Sequence, residues 1–270
     1  MSMLQKHPFL VCLLLLCVVL LIWAYWETHS PKTTTYTLRS EKIPAGFDGF
    51  RIVQVSDLHN ATFGQDNRKL LTLLRKAQPD LILLTGDLVD SRRTDLEIAV
   101  RFVQEAAALA PVCYAPGNHE SRIGESYTRL KEALTACGVV ILENQSIPLR
   151  KAQDTITVTG LTDPDFFIPW PDLTTEDFQV VLSHRPELLE EYANRNFDLV
   201  FTGHAHGGQA RLPFIGGLFA PHQGFFPDYT AGMHTKNSTT MVISRGLGNA
   251  PVIPRFNNRP ELILTVLEKA

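Results

Sequence analysis

Apolar positions fall into two regimes along the chain. Residues 9–26 form one unbroken stretch, FLVCLLLLCVVLLIWAYW, without a charge. From residue 50 onward the apolar runs are short and β-branched, as at Ile52 to Val55, Leu81 to Leu84, Val180 to Leu182 and Leu199 to Phe201. Runs of this length between polar loops read as buried strands. Leucines at 70, 71, 73 and 74 put a helix over residues 67–77 between the first two strands. A second helix is expected over 94–109, with Thr94 as its cap and Glu97 completing a capping box, and a third over 127–136, ending before Gly138. Further strands are expected at 111–114, 139–142, 155–161, 240–244 and 262–267.

Alternation of strands and helices in the first half implies a parallel sheet with helices outside it. The second half has more strands and fewer helices, so the fold expected is α/β with two facing sheets. The domain organisation expected is an anchor over residues 1–29, a linker and domain entry over 30–48, and a catalytic domain over 49–270. Pro31 and the threonines Thr33 to Thr35 give the linker its polar character.

The N-terminal stretch is close to the length that crosses a bilayer as a helix, and Trp23, Tyr25 and Trp26 form an aromatic belt at its end. A cleaved signal peptide is the competing reading. Against it, the apolar core is long, and bulky aromatics stand where small residues precede a cleavage site. Lys6 lies before the stretch, and Lys32, Arg39 and Lys42 follow it. That excess of positive charge points to a single-pass protein of the inner (plasma) membrane with a cytoplasmic catalytic domain.

A formal net charge of -3 provides no basic stripe for nucleic acid. Of the cysteines, only Cys113 and Cys137 lie outside the apolar stretch, too few for a disulfide framework.

The chemistry is concentrated in five segments, each at or near the end of an expected strand: Ser56-Asp57-Leu58-His59, Gly86-Asp87, Gly117-Asn118-His119-Glu120, Ser183-His184-Arg185 and Gly203-His204-Ala205-His206. Five of the nine histidines sit in them. Strand ends at the rim of an α/β sheet are where ligands bind. Two-residue spacing in an extended chain would point Asp57 and His59 the same way, toward one ion. Asp87, after a glycine turn, can bridge two cations; Asn118 offers an amide oxygen, and His119 is left available as a proton donor. Singly, each pair is an ordinary surface feature. Their joint order is not.

That order is similar to the calcineurin-like metallophosphoesterases, over residues 51–268. The runs Gly207-Gly208-Gln209, Arg211-Leu212-Pro213-Phe214, Ser244-Arg245-Gly246-Leu247-Gly248 and Arg255-Phe256-Asn257-Asn258-Arg259-Pro260-Glu261 resemble the membrane-anchored YaeI/YkuE-like branch. The resemblance implies a four-layer αββα sandwich and two divalent metal ions, with Mn, Fe, Zn or Co suiting the mixed ligands. It places Asp57, His59, Asp87 and His206 on the first ion and Asp87, Asn118, His184 and His204 on the second. His119 becomes the catalytic acid or hydrogen-bond donor, and Arg122 and Arg245 are candidate substrate-phosphate contacts. Glu120 departs from the family pattern, which has Asp after the histidine; a longer acid there could still orient His119. The activity implied is phosphodiester or pyrophosphate hydrolysis by metal-activated hydroxide, on a membrane-associated substrate such as a lipid-linked or nucleotide-linked diester. The alternatives are a broad phosphodiesterase or phosphatase for soluble or protein phosphoesters, and a non-catalytic metal-dependent scaffold.

Overall fold

The computed structural model describes residues 8–248 and 255–270, so Lys6 of the charge argument lies outside the described residues. Helix α1 (Pro8–Thr28) is followed by β1 (Lys32–Ser40), β2 (Arg51–Val55), α2 (Arg68–Ala77), β3 (Leu81–Thr85), α3 (Leu96–Ala107), β4 (Val112–Ala115), α4 (Glu125–Ala136) and β5 (Val140–Ile141). These strands and the final one, β16 (Glu261–Lys269), form a six-stranded sheet in the order β1-β16-β2-β3-β4-β5. The second half supplies β6 (Gln145–Lys151), β7 (Asp154–Gly160), β8 (Gln179–Leu182), the short helix α5 (Leu189–Asn194), β9 (Leu199–Thr202), β14 (Gly232–Lys236) and β15 (Thr239–Ile243). They form a second six-stranded sheet, β14-β15-β9-β8-β7-β6. Two small hairpins stand outside both sheets: β10 (Arg211–Leu212) with β11 (Gly216–Gly217), and β12 (Phe219–Ala220) with β13 (Gly224–Phe225).

The two-residue pleat explains why the central strands are apolar throughout. In β3, Leu81 and Leu83 face the core between the sheets, while Ile82 and Leu84 face α2, α3 and α4. In β9, Leu199 and Phe201 face the inter-sheet core and Val200 faces the layer built on Leu189 and Tyr192 of α5. Three apolar layers thus separate helices, sheet, sheet and helix, the expected αββα order. Cys113 lies in the inter-sheet core and Cys137 against the helical layer, on opposite sides of the first sheet, and both are free.

Several local expectations change. Residues 32–40 are not a linker: β1 pairs in parallel with β16 from Lys32↔Glu261 to Ser40↔Lys269. Threonine-rich sequence reads as polar, yet Thr and Tyr suit a half-buried pleat. Helix α3 begins after Asp95, not Thr94; the Asp95 side chain accepts the Glu97 N–H. Strand β6 escaped notice because it is a largely exposed edge strand interrupted by Pro148.

Within helix α1 the 20-residue span Phe9–Thr28 has an apolar window of mean hydropathy 2.8 that is not buried against the domain, so by length and composition it can cross a bilayer. Its C-terminal end is fastened. The carboxylate of Glu27 accepts the Asn258 N–H at 2.9 Å, Trp23 meets Phe256 edge-on at 4.7 Å, and Arg259 lies over Trp26.

One side chain staples the rim of the first sheet. Glu120 is fully buried; its Oε2 accepts the N–H of Asp87 and of Gly117, each at 2.8 Å, and its Oε1 that of Leu88, also at 2.8 Å. It thereby joins the loop after β3 to the loop after β4. Burial, and then the Asp87 carboxylate, push its carboxyl up from 4.5 to about 7. A carboxyl raised on folding stabilises fully below its unfolded value and loses that contribution as pH rises through its folded value. In EDTA-treated protein, Glu120→Gln sets an amide donor against backbone N–H donors and should cost about 1–3 kcal/mol. Thermal or urea melts should show the gap to wild type narrowing between pH 4.5 and about 7. A gap independent of pH would mean that the carboxyl is not raised.

Candidate metal centre

The rims of both sheets meet where β2, β3, β4, β8 and β9 end, and all five motif segments emerge there. The backbone at this rim is unusual. Asp57, His59, Asp87, His204 and His206 have φ of 51°, 46°, 53°, 63° and 47°. Asp57 and His59 therefore converge through left-handed turns, and not through the pleat of an extended strand. Left-handed backbone costs an L residue energy and persists only where its surroundings enforce it. Here the enforcement includes backbone hydrogen bonds between loops, from Asp57 N to Gly86 O and His59 N to Asp87 O, each at 3.0 Å. Packing is just as close: a methyl on Gly203 would overlap Ser56 and Asp57, and one on Gly117 would overlap the Asp87 carboxylate.

Two donor clusters result. Asp57, His59 and His206 form one, Asp87, His184 and His204 the other, and the ligand atoms within each lie within 4.8 Å of one another. Asp87 stands between them: its Oδ2 is 3.5 Å from Nε2 of His59 and 3.2 Å from Nε2 of His184. Its Oδ1 accepts the His119 N–H at 2.8 Å. Backbone groups and one hydroxyl orient these ligands. His184 donates from Nδ1 to the Thr85 carbonyl at 2.7 Å, which leaves Nε2 turned toward the centre. The Asp57 carboxylate accepts from Ser56 Oγ at 2.6 Å and from the His204 N–H at 3.1 Å.

Buried donors at this centre are left without protein partners. Among the described residues, Asn118 Oδ1, His59 Nδ1 and His206 Nδ1 are buried and make no hydrogen bond. Nε2 of His59 and Nε2 of His206 face each other at 3.2 Å. Buried polar atoms are rarely orphaned, and a set of imidazoles, carboxylates and one amide oxygen with free lone pairs suits divalent cations. Burial lowers the proton affinity of His59, His204 and His206, keeping these rings neutral as ligands must be. His184 behaves differently. Burial opposes its protonation, but the charge and hydrogen bonding of Asp87 override this and raise it to about 10. Burial likewise disfavours an ionised Asp87, and His184, followed by His59, overrides it and holds the carboxyl well below its ordinary range.

A cleft of ≈ 230 Å³ opens over both clusters, lined by His59, Asp87, Asn118, His119, His204 and His206 together with Asp90, Arg92, Arg122, Pro221 and His222. His119 projects into it with its ring edge-on to His59 at 4.5 Å. Its Nδ1 accepts the Ser91 N–H at 2.9 Å, so the neutral ring carries its proton on Nε2. Asp90 is 3.7 Å from that same Nδ1. The orienting group is therefore Ser91, and not Glu120, whose carboxylate is turned to the backbone staple.

Of the two candidate arginines, Arg122 lines the cleft and pairs with Asp165 at 2.6 Å. Arg245 is not among the lining residues; it faces Glu261 at 3.7 Å. Three contributors were not expected from sequence. Arg92 lines the cleft from the loop after β3. Arg185, adjacent to His184, is buried in a pair with Asp163 at 2.5 Å and reaches within 3.4 Å of His204 Nε2. His222, from the turn between β12 and β13, brings Nδ1 to 2.9 Å from His204 Nε2. Arg185 could have been found from its place in the motif; His222 carried no local signal, because only the hairpin brings it back to the centre.

A model of the calcineurin-like phosphoesterases matches residues 50–208. The chain is 32% identical to the metallophosphoesterase YkuE of Bacillus subtilis over 90% of this chain and 88% of that one. It is 30% identical to the phosphodiesterase YaeI of Escherichia coli, covering 81% and 82%. With the UDP-2,3-diacylglucosamine pyrophosphatase LpxG of Chlamydia trachomatis the identity is 28%, covering 93% and 94%. Among solved structures, the sulfate thiohydrolase SoxB of Thermus thermophilus shares the fold at 15% identity and a TM-score of 0.50, over 76% of this chain and 53% of that one. The strand-end motifs, the paired sheets and the matched family model agree: the chain belongs to the calcineurin-like phosphoesterases, a family of phosphoric ester hydrolases.

Proposed function

We propose that the protein is a dinuclear metal phosphodiesterase or pyrophosphatase acting on a membrane-associated substrate. The observation that carries the dinuclear reading is the Asp87 carboxylate lying between two clusters of buried ligand atoms, with His59 Nδ1, His206 Nδ1 and His184 Nε2 left without a hydrogen-bond partner. Asp57, His59, Asp87 and His206 would hold one cation, and Asp87, Asn118, His184 and His204 the other. When bound, such a pair supplies Lewis-acid chemistry, lowering the pKa of water and drawing charge from phosphoryl oxygens.

The remaining work falls to the chain. His119, fixed by Ser91 with its proton on Nε2, donates toward the leaving oxygen. Arg122 and Arg92 meet the substrate's negative charge from the open side of the cleft. Arg185 holds His204 and His222 on the same side of the second cluster.

The membrane reading is supported by one residue. Asn258 accepts nothing from the helix but donates to it, N–H to Glu27, while its side chain donates to the carbonyls of His206 at 2.7 Å and Gln209 at 2.8 Å. A single side chain thus separates the end of α1 from a candidate metal ligand. A cavity of ≈ 290 Å³ also runs from Thr28 and His29 at the end of α1 to His59. The name of the LpxG relative, a pyrophosphatase for a diacylated nucleotide sugar, fits a substrate whose phosphates sit at headgroup height. Anchored this way, and with Lys32, Arg39 and Lys42 following α1, the catalytic domain would face the cytoplasm.

Metal-stripped protein should hydrolyse bis-p-nitrophenyl phosphate only after Mn²⁺ is restored, and Asp87→Asn should abolish the restored rate. No turnover with any divalent metal would favour the scaffold reading. His119→Ala should lower kcat by about 10²- to 10⁴-fold for a diester with an alkyl leaving group, and far less for p-nitrophenolate, which departs without a proton. Equal losses on the two would remove the acid role. In nanodiscs, kcat/KM for a lipid-linked nucleoside diphosphate should exceed that for its deacylated, water-soluble counterpart; equal values would support the broad phosphodiesterase instead.

A further inference from the structure

Between Arg211 and Asp228 the chain carries no Asp, Glu, Lys or Arg. This segment folds into the two hairpins outside the main sheets, and its large apolar side chains point outward: Phe214 is fully exposed, Phe225 is 78% exposed and Phe226 67%. A water-facing surface gains nothing from such tips, and contiguous exposed apolar groups mark an interaction site. We propose that these two hairpins dock into the headgroup and upper acyl region of the same lipid bilayer that α1 enters. The inference rests on the anchored reading above and deepens it.

Continuity with the anchor identifies lipid as the partner. Phe256 touches Trp23, five residues before the end of α1, and five residues of helix rise about 7.5 Å. Phe256 therefore lies alongside the last turns of the apolar helix, at the height of its aromatic belt. From Phe256 a narrow ribbon runs sideways. Ala210 bridges to Phe256, Leu218 donates to the Ala210 carbonyl at 2.9 Å, and Phe226 donates to the Leu218 carbonyl at 3.0 Å. Three steps of about 4.8 Å bring this ribbon to Phe226, within about 15 Å of Phe256 and of the helix end that Phe256 touches. Phe214 lies at the tip between β10 and β11, two residues beyond the last pair, Leu212↔Gly216.

The hairpins are braced, so their tips are held outward. Gln223 and Tyr229 exchange two hydrogen bonds, at 2.8 and 3.0 Å, and Arg211 donates to the Gly207 carbonyl at 2.8 Å. Each hairpin pairs over only two residues per strand and stands outside both sheets, so its backbone is not satisfied by a continuous ladder. That excludes deep burial in hydrocarbon but suits the interfacial depth of about 5–10 Å at which amphipathic elements rest. Since the turn of the second hairpin also delivers His222 to His204, a docked hairpin sets the metal cleft at headgroup level.

The test uses the full chain in nanodiscs of phosphatidylethanolamine and phosphatidylglycerol. A trifluoromethyl-phenylalanine reporter is placed in turn at Phe214, Phe226, Phe9 and Val140; Phe9 lies in α1, and Val140 on the far edge strand of the first sheet. The expected result is loss of the fluorine resonance at Phe214, Phe226 and Phe9 when the bilayer contains a lipid nitroxide, with Val140 bleached only by a water-soluble nitroxide. Bleaching of Phe214 and Phe226 by the soluble nitroxide alone, while Phe9 remains lipid-quenched, would overturn the docking and leave the anchor intact. Protection of both from either nitroxide would also overturn it and indicate a second copy covering the patch. Mn²⁺-dependent turnover of bis-p-nitrophenyl phosphate by the same samples reads the catalytic proposal separately, because it needs no lipid contact.

Discussion

The structure is organised around the Asp87 carboxylate and the groups that compete for it. One oxygen lies between His59 and His184, the other takes the His119 N–H, and the residue's own N–H goes to Glu120. These partners come from the loops after β2, β4 and β8, so together with its own loop after β3 four loops acquire fixed positions around one residue. Burial makes this arrangement strict. A charge in a dry site costs several kcal/mol unless it is paired and hydrogen-bonded, so any loop that drifts exposes an uncompensated group.

Glu120 shows the same constraint at one remove. Burial, and then repulsion by the Asp87 carboxylate, disfavour a second charge here, and the Glu120 carboxyl is raised accordingly. It is retained because three backbone N–H groups at two loop ends would otherwise lack acceptors in the interior. The Glu120 carboxylate is turned onto the backbone, which leaves His119 to Ser91. The rigidity gained this way is useful for hydrolysis, since groups that act on a developing charge help most when they need no rearrangement at the moment of reaction.

Helix α1 is coupled to this centre by hydrogen bonds through Asn258. Asn258 links Glu27 to the carbonyls on either side of Gly207 and Gly208, so the end of α1 and the loop of His204 and His206 share one hydrogen-bond network. A helix joined to a domain by a loose tether leaves the domain free to tumble; here the edge strand β1 follows α1 after only three residues and is held along its whole length by β16. The face of the domain nearest α1 is consequently fixed by covalent and hydrogen-bonded geometry.

Much of this was legible in the sequence because it depends on short-range order. Apolar runs of three or four residues, each followed within a few positions by Asp, His or Asn, determined the central strands, the α/β class and the residues Asp57, His59, Asp87, Asn118, His184, His204 and His206 that the fold brings together. Periodicity also located α2, α3 and α4 to within a few residues. What the sequence left undetermined depends on contacts between distant segments. The pleat argument for Asp57 and His59 failed because both are held in left-handed turns by loops from β3 and β9. Residues 32–40 read as a polar linker because nothing nearby in the chain announces β16, more than 220 positions away. Arg245 stood in a motif yet turned to Glu261, and His222 stood in none yet reached His204. Sequence by itself fixes which groups are available and which elements carry them; the direction in which each side chain points is decided by long-range packing and hydrogen bonding, which are properties of the folded chain alone.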